Sequence, residues 1–325
     1  MPLRVLWTHR PSAEPARGLQ PPPGVELRIE TDRERALALR DWPQVIVDGS
    51  PPEELLDGAC LERVVVPYAG IGGRLREALL ARPHLRAHNS HFNDAMVAQH
   101  LVALLLAVAN RVVWDDAALR RGRWGPSAAE NDGRGLFLRG KRALLLGYGS
   151  IARAAVPTLR ALGLDLVAYR RRPAPGGDVP QVGRESLLAE LAAADAVLCT
   201  LPLTGETRGL IGERELAAMK ETAVLVNVGR GAVIDEEALY RALAERRIYG
   251  AGIDVWYVYP GSDEERSSTP PSRFPFGELP NVVMTPHSAN DMVGWREAAA
   301  RDVMATLAAL ERGEERNVVD VASGY

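Results

Sequence analysis

Lys141-Arg-Ala-Leu-Leu-Leu-Gly147-Tyr-Gly149-Ser-Ile-Ala152 leads through an apolar helical pattern into Leu164-Asp-Leu-Val-Ala-Tyr169-Arg-Arg-Arg172. Ala143 to Leu146 is a short apolar run that suits a strand buried on both faces. Gly147, Gly149 and Ala152 then fall at the spacing glycine-x-glycine-x-x-alanine. The first glycine permits a tight turn, the second lets backbone approach a pyrophosphate, and the small third residue lets the next helix lie close to the strand. That helix starts near Ser150, so its unpaired N–H groups and positive dipole end face the phosphates. Strand, turn, helix and second strand arrive in the order a dinucleotide-binding unit needs, and this context separates the motif from an ordinary glycine turn.

The end of the second strand bears on the choice of cofactor. A carboxylate about 20 residues past the glycines would hold the ribose hydroxyls of NAD. Here Arg170, Arg171 and Arg172 stand instead. A guanidinium fork binds a 2′-phosphate bidentately and stacks on adenine, whereas an acid would repel it. The expected cofactor is NADP(H), with NAD(H) as the alternative; a solvated basic turn is the competing reading of the triplet.

Outward from this unit the chain alternates strand and helix patterns. Before it come candidate strands at 3–8, 25–29, 45–47, 63–66 and 85–88, with helices at 32–40, 52–59 and 74–81, a small α/β layer. After it come strands at 196–201, 223–228, 251–255 and 282–285, with helices at 184–193, 213–218 and 236–245. Counting six strands in all, this is a doubly wound parallel sheet with the dinucleotide across its carboxyl edge. Residues 293–310 form a last covering helix. The longest helical pattern is 93–123, with a candidate break near Asn110; Leu101–Ala109 within it is apolar nearly all round and must be buried on more than one side. Gly125 to Arg139 reads as a Gly- and Arg-rich loop.

The 325 residues suffice for two lobes, and 46% apolar with 25% charged residues is an ordinary globular composition. A net charge of −3 gives no general attraction to nucleic acid or an anionic membrane. The N-terminal stretch lacks signal-peptide character, and Leu101–Ala109 is far short of the ~20 apolar residues that span a bilayer, so a cytoplasmic protein is expected. Cys60 and Cys199 lack metal-ligand spacing and read as inert thiols; no metal site is expected.

Most candidate polar residues of the second half fall just past a strand, where ligands bind in open α/β sheets. Arg230, between two glycines in Val226-Asn-Val-Gly-Arg-Gly231, is placed to reach a carboxylate with a bidentate fork. Asp254 either orients an imidazole or caps the next turn. His287 follows Thr285-Pro286, whose ring stiffens the backbone, and is a candidate acid–base group.

Six stretches together closely resemble the D-isomer-specific 2-hydroxyacid dehydrogenases, in the right order over almost the whole chain. They are Tyr68-Ala-Gly-Ile-Gly, Met96-Val-Ala-Gln-His, Gly122-Arg-Trp, Gly147–Ala152, Val226–Asp235 and Thr285-Pro-His. The resemblance implies a Rossmann cofactor domain over 94–290 and a smaller, discontinuous flavodoxin-like substrate domain from 1–93 and 291–325, with the active site in the cleft. It also implies a homodimer built on the 93–123 helix, which would account for the apolar sheath of Leu101–Ala109. The implied reaction is hydride transfer between nicotinamide and the 2-carbon of a small 2-keto or 2-hydroxy acid, of the glyoxylate or hydroxypyruvate type. Arg230 would bind the carboxylate, with Tyr68 and the N–H groups of Ala69 and Gly70 around its other oxygen. His287 would donate and accept the proton, with Asp254 behind it. The cofactor would meet Gly147, Gly149, Ser150, Ile151, Leu201, Pro202, Thr207, Val228, Gly229 and Asp254 besides the three arginines.

One departure from the family touches the chemistry. The family carries Glu five residues after this Asp, hydrogen-bonded to the catalytic His; here Tyr259 stands there. A phenol contributes a hydrogen bond and no charge, so it does not raise the imidazole pKa as a carboxylate does. Formate dehydrogenases of the same superfamily place a neutral Gln there, so a formate- or phosphite-type dehydrogenase is an alternative, as is a dinucleotide-binding regulatory protein. Gln99 replaces a family Glu and is expected to alter helix contacts. Trp124, Trp295, Met292, His91 and Phe92 are candidate pocket walls, and Arg74 and Arg76 candidate anion contacts; core packing and a solvated helix face compete with these readings. The long stretch from Pro260 to Gly277, rich in Ser, Pro and charge, either covers a cleft or is mobile.

Overall fold

The computed structural model describes residues 1–124 and 135–322, so most of the Gly125–Arg139 loop lies outside the described residues. The chain divides into two compact units, Met1–Asn93 with Asp291–Tyr325, and Asp94–Asn290.

The first unit is built on β1 (Leu3–Trp7), β2 (Val25–Ile29), β3 (Val45–Val47), β4 (Arg63–Val65) and β5 (Arg86–His88). They form one parallel sheet in the order β2-β1-β3-β4-β5. Val5, Trp7, Val45 and Val47 face Ala300, Val303 and Leu307 of the Trp295–Glu311 helix, while Leu6, Ile46 and Val64 face Leu55, Leu75 and Leu79. Both faces are therefore covered, as parallel strands of continuous Val and Leu require. The Arg10–Arg17 helix is absent from the sequence reading, because Pro11 and Pro15 mask its periodicity; its small Ala13 and Ala16 pack beneath the sheet. The 52–59 segment is a short 3-10 turn, Glu53–Asp57.

The second unit carries β6 (Arg142–Leu146), β7 (Asp165–Tyr169), β8 (Gln181–Val182), β9 (Ala196–Cys199), β10 (Val224–Asn227), β11 (Gly250–Ile253) and β12 (Val282–Met284). All pair in parallel, in the order β12-β11-β10-β9-β6-β7-β8. This is seven strands, one more than the alternation predicts; β8 is two residues long and too short to show a period. Strand order reverses between β6 and β9, so the carboxyl end of β6, where the glycines lie, is the topological switch point.

The 93–123 pattern is two helices, Asp94–Ala109 and Val112–Leu119, bent by 59° at Arg111, whose φ of 58° is left-handed. Leu101, Leu104, Leu105 and Val108 pack with Leu145, Leu198, Val224 and Val226 in one core. The apolar sheath is thus enclosed by its own unit, and a second subunit is not needed to explain it. Among the described residues, no single helix is long and apolar enough to cross a membrane. Cys199 is sealed in the core, where burial pushes its thiol up to about 12; Cys60 is half-buried.

Candidate active site

At the end of β6 the chain turns at Gly147, whose φ of 94° is closed to most side chains. A Cβ there would also press Thr200 Oγ1 at 3.1 Å and Leu201 Cδ2 at 3.2 Å. Gly149 differs: its φ is −84°, and a Cβ would meet nothing within 4 Å. Backbone alone therefore faces open space where the Ser150–Ala161 helix begins, and no side chain caps that helix. The first-turn N–H groups, Ser150 and Ile151 among them, are left for a ligand. Ala152 is fully buried, as close helix–sheet packing requires. This cradle fits the pyrophosphate of a dinucleotide.

Past β7 the three arginines differ. Arg170 is half-buried and donates through Nη1 to Gln181 Oε1 at 3.4 Å. Arg171 is exposed and pairs with Glu206 at 3.3 Å, an exposed contact worth little on its own. Arg172 is exposed and enters no ion pair among the described residues. The loop after β9 is set by Thr207, whose hydroxyl donates to Pro202 O at 2.6 Å and accepts from Thr204 N–H at 2.8 Å.

The Gly-Arg-Gly turn after β10 is forced by its neighbours. A Cβ on Gly229 would lie 2.5 Å from Leu201 O, and one on Gly231 would lie 2.3 Å from Trp256 O. Asn227, 2% exposed, clamps the turn: its Oδ1 accepts from Gly229 N–H at 3.0 Å and its Nδ2 donates to Arg230 O at 3.1 Å. Arg230 is half-buried and donates through Nη1 to Gly229 O at 2.7 Å. No carboxylate pairs with it among the described residues, so Nε and Nη2 are left to meet an anion.

Asp254, fully buried past β11, organises the end of β12. Its Oδ1 accepts from the Thr285 hydroxyl at 2.6 Å and from Ser288 N–H at 2.9 Å, and its Oδ2 accepts from Ala289 N–H at 3.2 Å. His100 Nε2, on the Asp94–Ala109 helix, lies 3.0 Å from Thr285 Oγ1 and 3.5 Å from Asp254 Oδ1. The Thr285 proton goes to the carboxylate, so His100 Nε2 carries the proton it shares with the threonine oxygen. Burial by itself would raise the Asp254 carboxyl. Hydrogen bonds from His100, Thr285 and Ser288, with the attraction of His100, outweigh it and hold the group below the usual carboxylate range.

Between those anchors sits His287, exposed and with a left-handed φ of 57°. Residues other than glycine rarely adopt that conformation, and they concentrate at sites where the surroundings fix it. Tyr259 lies against its ring, centroids 5.5 Å apart and planes at 56°. The Tyr259 hydroxyl accepts from Trp256 N–H at 2.9 Å, and Trp256 Nε1 donates to Thr285 O at 2.8 Å. Burial raises the Tyr259 pKa despite that N–H and the nearby charge of Arg230, so the phenol is neutral at physiological pH.

In the first unit, Tyr68, Ala69 and Gly70 follow β4. Tyr68 O accepts from Ser90 N–H at 3.3 Å, and Ala69 O accepts from Asn89 Nδ2 at 2.7 Å. No backbone acceptor meets the N–H groups of Ala69 or Gly70 among the described residues. Arg76 is not a free cation: it donates to Val321 O at 3.1 Å and Ala322 O at 2.6 Å. Phe92 stacks on Trp295 with centroids 6.4 Å apart.

His100, Thr285 and Asn227 are the parts of the site that residue-by-residue reading missed. His100 is a half-buried imidazole in a largely apolar helical run, and Asn227 is a buried amide inside a valine strand; polar groups so placed call for partners. Gln99, by contrast, is exposed and touches none of this.

A doubly wound sheet with a glycine turn at its switch point, and arginine and histidine at the ends of β10 and β12 on either side of β11, defines a dinucleotide-dependent oxidoreductase. Residues 102–289 match the family model "D-isomer specific 2-hydroxyacid dehydrogenase, NAD binding domain". A glyoxylate reductase of Thermococcus litoralis is 34% identical over 277 residues, 83% of this chain and 80% of that protein. Among solved structures, the NADPH-dependent glyoxylate/hydroxypyruvate reductase of Sinorhizobium meliloti, in complex with NADP and malonate, is 27% identical. It covers 100% of this chain and 98% of that one with a TM-score of 0.73. A D-isomer specific 2-hydroxyacid dehydrogenase of Xanthobacter autotrophicus Py2, in complex with NADPH and MES, is 26% identical, covers 100% of both chains and has a TM-score of 0.76. The chain belongs to the D-isomer specific 2-hydroxyacid dehydrogenases, and its cofactor is a nicotinamide dinucleotide.

Proposed function

We propose that the protein is an NADP(H)-preferring reductase of small 2-keto acids, forming the D-2-hydroxy acid. The observation that supports this reading is Tyr259, whose ring packs on His287 and which lies within the field of the Arg230 charge. The cofactor, when bound, supplies the hydride. Arg230 holds the substrate carboxylate with its open Nε and Nη2 and polarises the neighbouring carbonyl. His287 gives the developing alkoxide its proton, the task of an acid with a pKa near neutral. Asp254 sets the position of His287 by holding the two N–H groups that follow it. Tyr259 packs on the imidazole at the position where relatives carry a carboxylate, and a phenol adds no charge there. The N–H groups of Ala69 and Gly70, beside Tyr68, are assigned to the carboxylate's second oxygen.

The preference for NADP(H) rests on Arg170, Arg171 and Arg172 at the end of β7, where a ribose-binding acid would stand. Leu201, Pro202, Thr207, Val228 and Gly229 complete the cofactor's bed. The Val112–Leu119 helix buries none of its residues and exposes Val112, Val113 and Leu119, with Trp124 beyond it. That face is the one we assign to a homodimer.

The test is a spectrophotometric screen of NADPH and NADH oxidation against glyoxylate, hydroxypyruvate, phenylpyruvate and branched keto acids. Turnover of at least one, faster with NADPH, is expected. Turnover of formate or phosphite and of no keto acid would replace this reading by the second one that the neutral Tyr259 beside His287 favours.

A further inference from the structure

The chain between β11 and β12 runs from Asp254 to Asn281, and the Pro260–Gly277 stretch within it is neither a flap nor a tail. Tyr257 N–H and Val258 N–H both donate to Pro271 O, at 3.2 and 3.0 Å, closing the stretch at its base. Beyond it, Ser272 Oγ and Arg273 N–H donate to Glu236 Oε1 at 2.7 and 3.1 Å. Phe276, 1% exposed, meets the Trp256 ring edge-on at 5.9 Å. Within the arc, Gly261 N–H donates to Glu265 Oε2 at 2.7 Å, and Thr269 Oγ1 donates to Glu265 O at 2.9 Å.

Arc and strand end together line an open cavity of about 600 Å³. Trp256, Val258 and Met284 give it apolar walls, and its polar lining includes His287, Asn290, Thr285, Thr269 and one cation, Arg266. Arg266 is exposed at the rim and enters no ion pair among the described residues. Asp263 and Glu264, on the same turn, do not line the cavity. A two-carbon keto acid does not need this space; cavities of roughly 300–1,000 Å³ with apolar walls and a few placed polar groups take whole small ligands.

Because His287 lines this cavity, whatever it protonates has its remainder beside the opening. We infer that the cavity receives the distal part of a 2-keto acid whose aliphatic spacer ends in a second anionic group, and that Arg266 meets that group. This rests on the keto-acid reading above and narrows it to a substrate class. Apolar walls accept the methylenes, and a cation in the lining selects a charged terminus over a neutral one of equal length.

The experiment compares 2-oxoadipate with 2-oxohexanoate, which share a carbon count and differ in the terminal group, using glyoxylate as the reference substrate. The native enzyme should show kcat/KM at least tenfold higher for 2-oxoadipate than for 2-oxohexanoate. Arg266→Gln should bring that ratio close to one and lower the 2-oxoadipate to glyoxylate ratio tenfold or more, and Arg266→Lys should keep most of both. Equal kcat/KM for the two six-carbon acids, or ratios unmoved by Arg266→Gln, overturns the inference while glyoxylate turnover leaves the keto-acid reading standing. If no keto acid is turned over, that reading fails instead. Calorimetric titration of the NADPH-loaded protein with adipate and hexanoate then decides the cavity. Adipate binding that Arg266→Gln abolishes supports the anion site, and absence of binding rejects it.

Discussion

Asp254 accepts a 2.6 Å hydrogen bond from the Thr285 hydroxyl, and the same carboxylate holds the N–H groups of Ser288 and Ala289 on the far side of His287. A carboxylate with three donors arranged around it cannot be replaced by an amide without leaving one of them unpaired. Asp254→Asn should therefore cost about 1–3 kcal/mol of stability at neutral pH. Its folded pKa lies below the unfolded value, so its contribution is complete above about pH 4 and fades as pH falls through the folded pKa. Thermal melts of the two chains should differ most at pH 6–7 and converge in acid. A difference in Tm that grows below pH 4 would contradict this account of Asp254.

Gly149 and Gly231 should separate folding from cofactor binding. A Cβ on Gly149 meets open space at an ordinary φ, so Gly149→Ala should keep the native Tm; it should weaken NADPH binding tenfold or more, because the methyl group stands where the pyrophosphate approaches. A Cβ on Gly231 would lie 2.3 Å from Trp256 O, so Gly231→Ala should cost about 1–3 kcal/mol. Calorimetry and fluorescence titration with NADPH read both.

Arg172 has no ion pair among the described residues, whereas Arg171 must leave Glu206 to bind a phosphate. Arg172→Ala should lower the NADPH to NADH ratio of kcat/KM about ten- to a hundredfold, the range of one charge-assisted contact of roughly 1.5–3 kcal/mol. Glu206→Gln should move the ratio the other way. Ratios unchanged in both would remove the triplet from cofactor choice.

Much of this was legible in the sequence. Gly147, Gly149 and Ala152 declare the βαβ unit because backbone geometry leaves few alternatives to those residues, and the strand ends at Arg230, Asp254 and His287 follow from the alternation. The brace behind His287 was not legible, since His100 and Thr285 are 185 residues apart and meet only once the sheet is assembled. Nor was the origin of the apolar helix: Leu101–Ala109 reads equally as core or interface, and only the packing against Leu145 and Val226 decides for core. Whether the Pro260–Gly277 stretch covers a cleft or is mobile was not legible, because composition carries no record of anchors such as Glu236 or Pro271.

Tyr259→Glu should raise the pKa of the group whose protonation limits reduction. A carboxylate stabilises imidazolium where the neutral phenol does not, so the limb on which kcat/KM falls with rising pH should move to higher pH. An unmoved limb would break the pairing of Tyr259 with His287.

The central claim is that Arg230 and His287 act together on one keto acid. The most direct test is steady-state reduction of glyoxylate and hydroxypyruvate by the native protein, Arg230→Gln and His287→Asn, with NADPH binding measured on each. Loss of at least a hundredfold in kcat for His287→Asn, and of a similar factor in kcat/KM with a raised KM for Arg230→Gln, is predicted at near-native NADPH affinity. Native turnover in either variant would contradict the account.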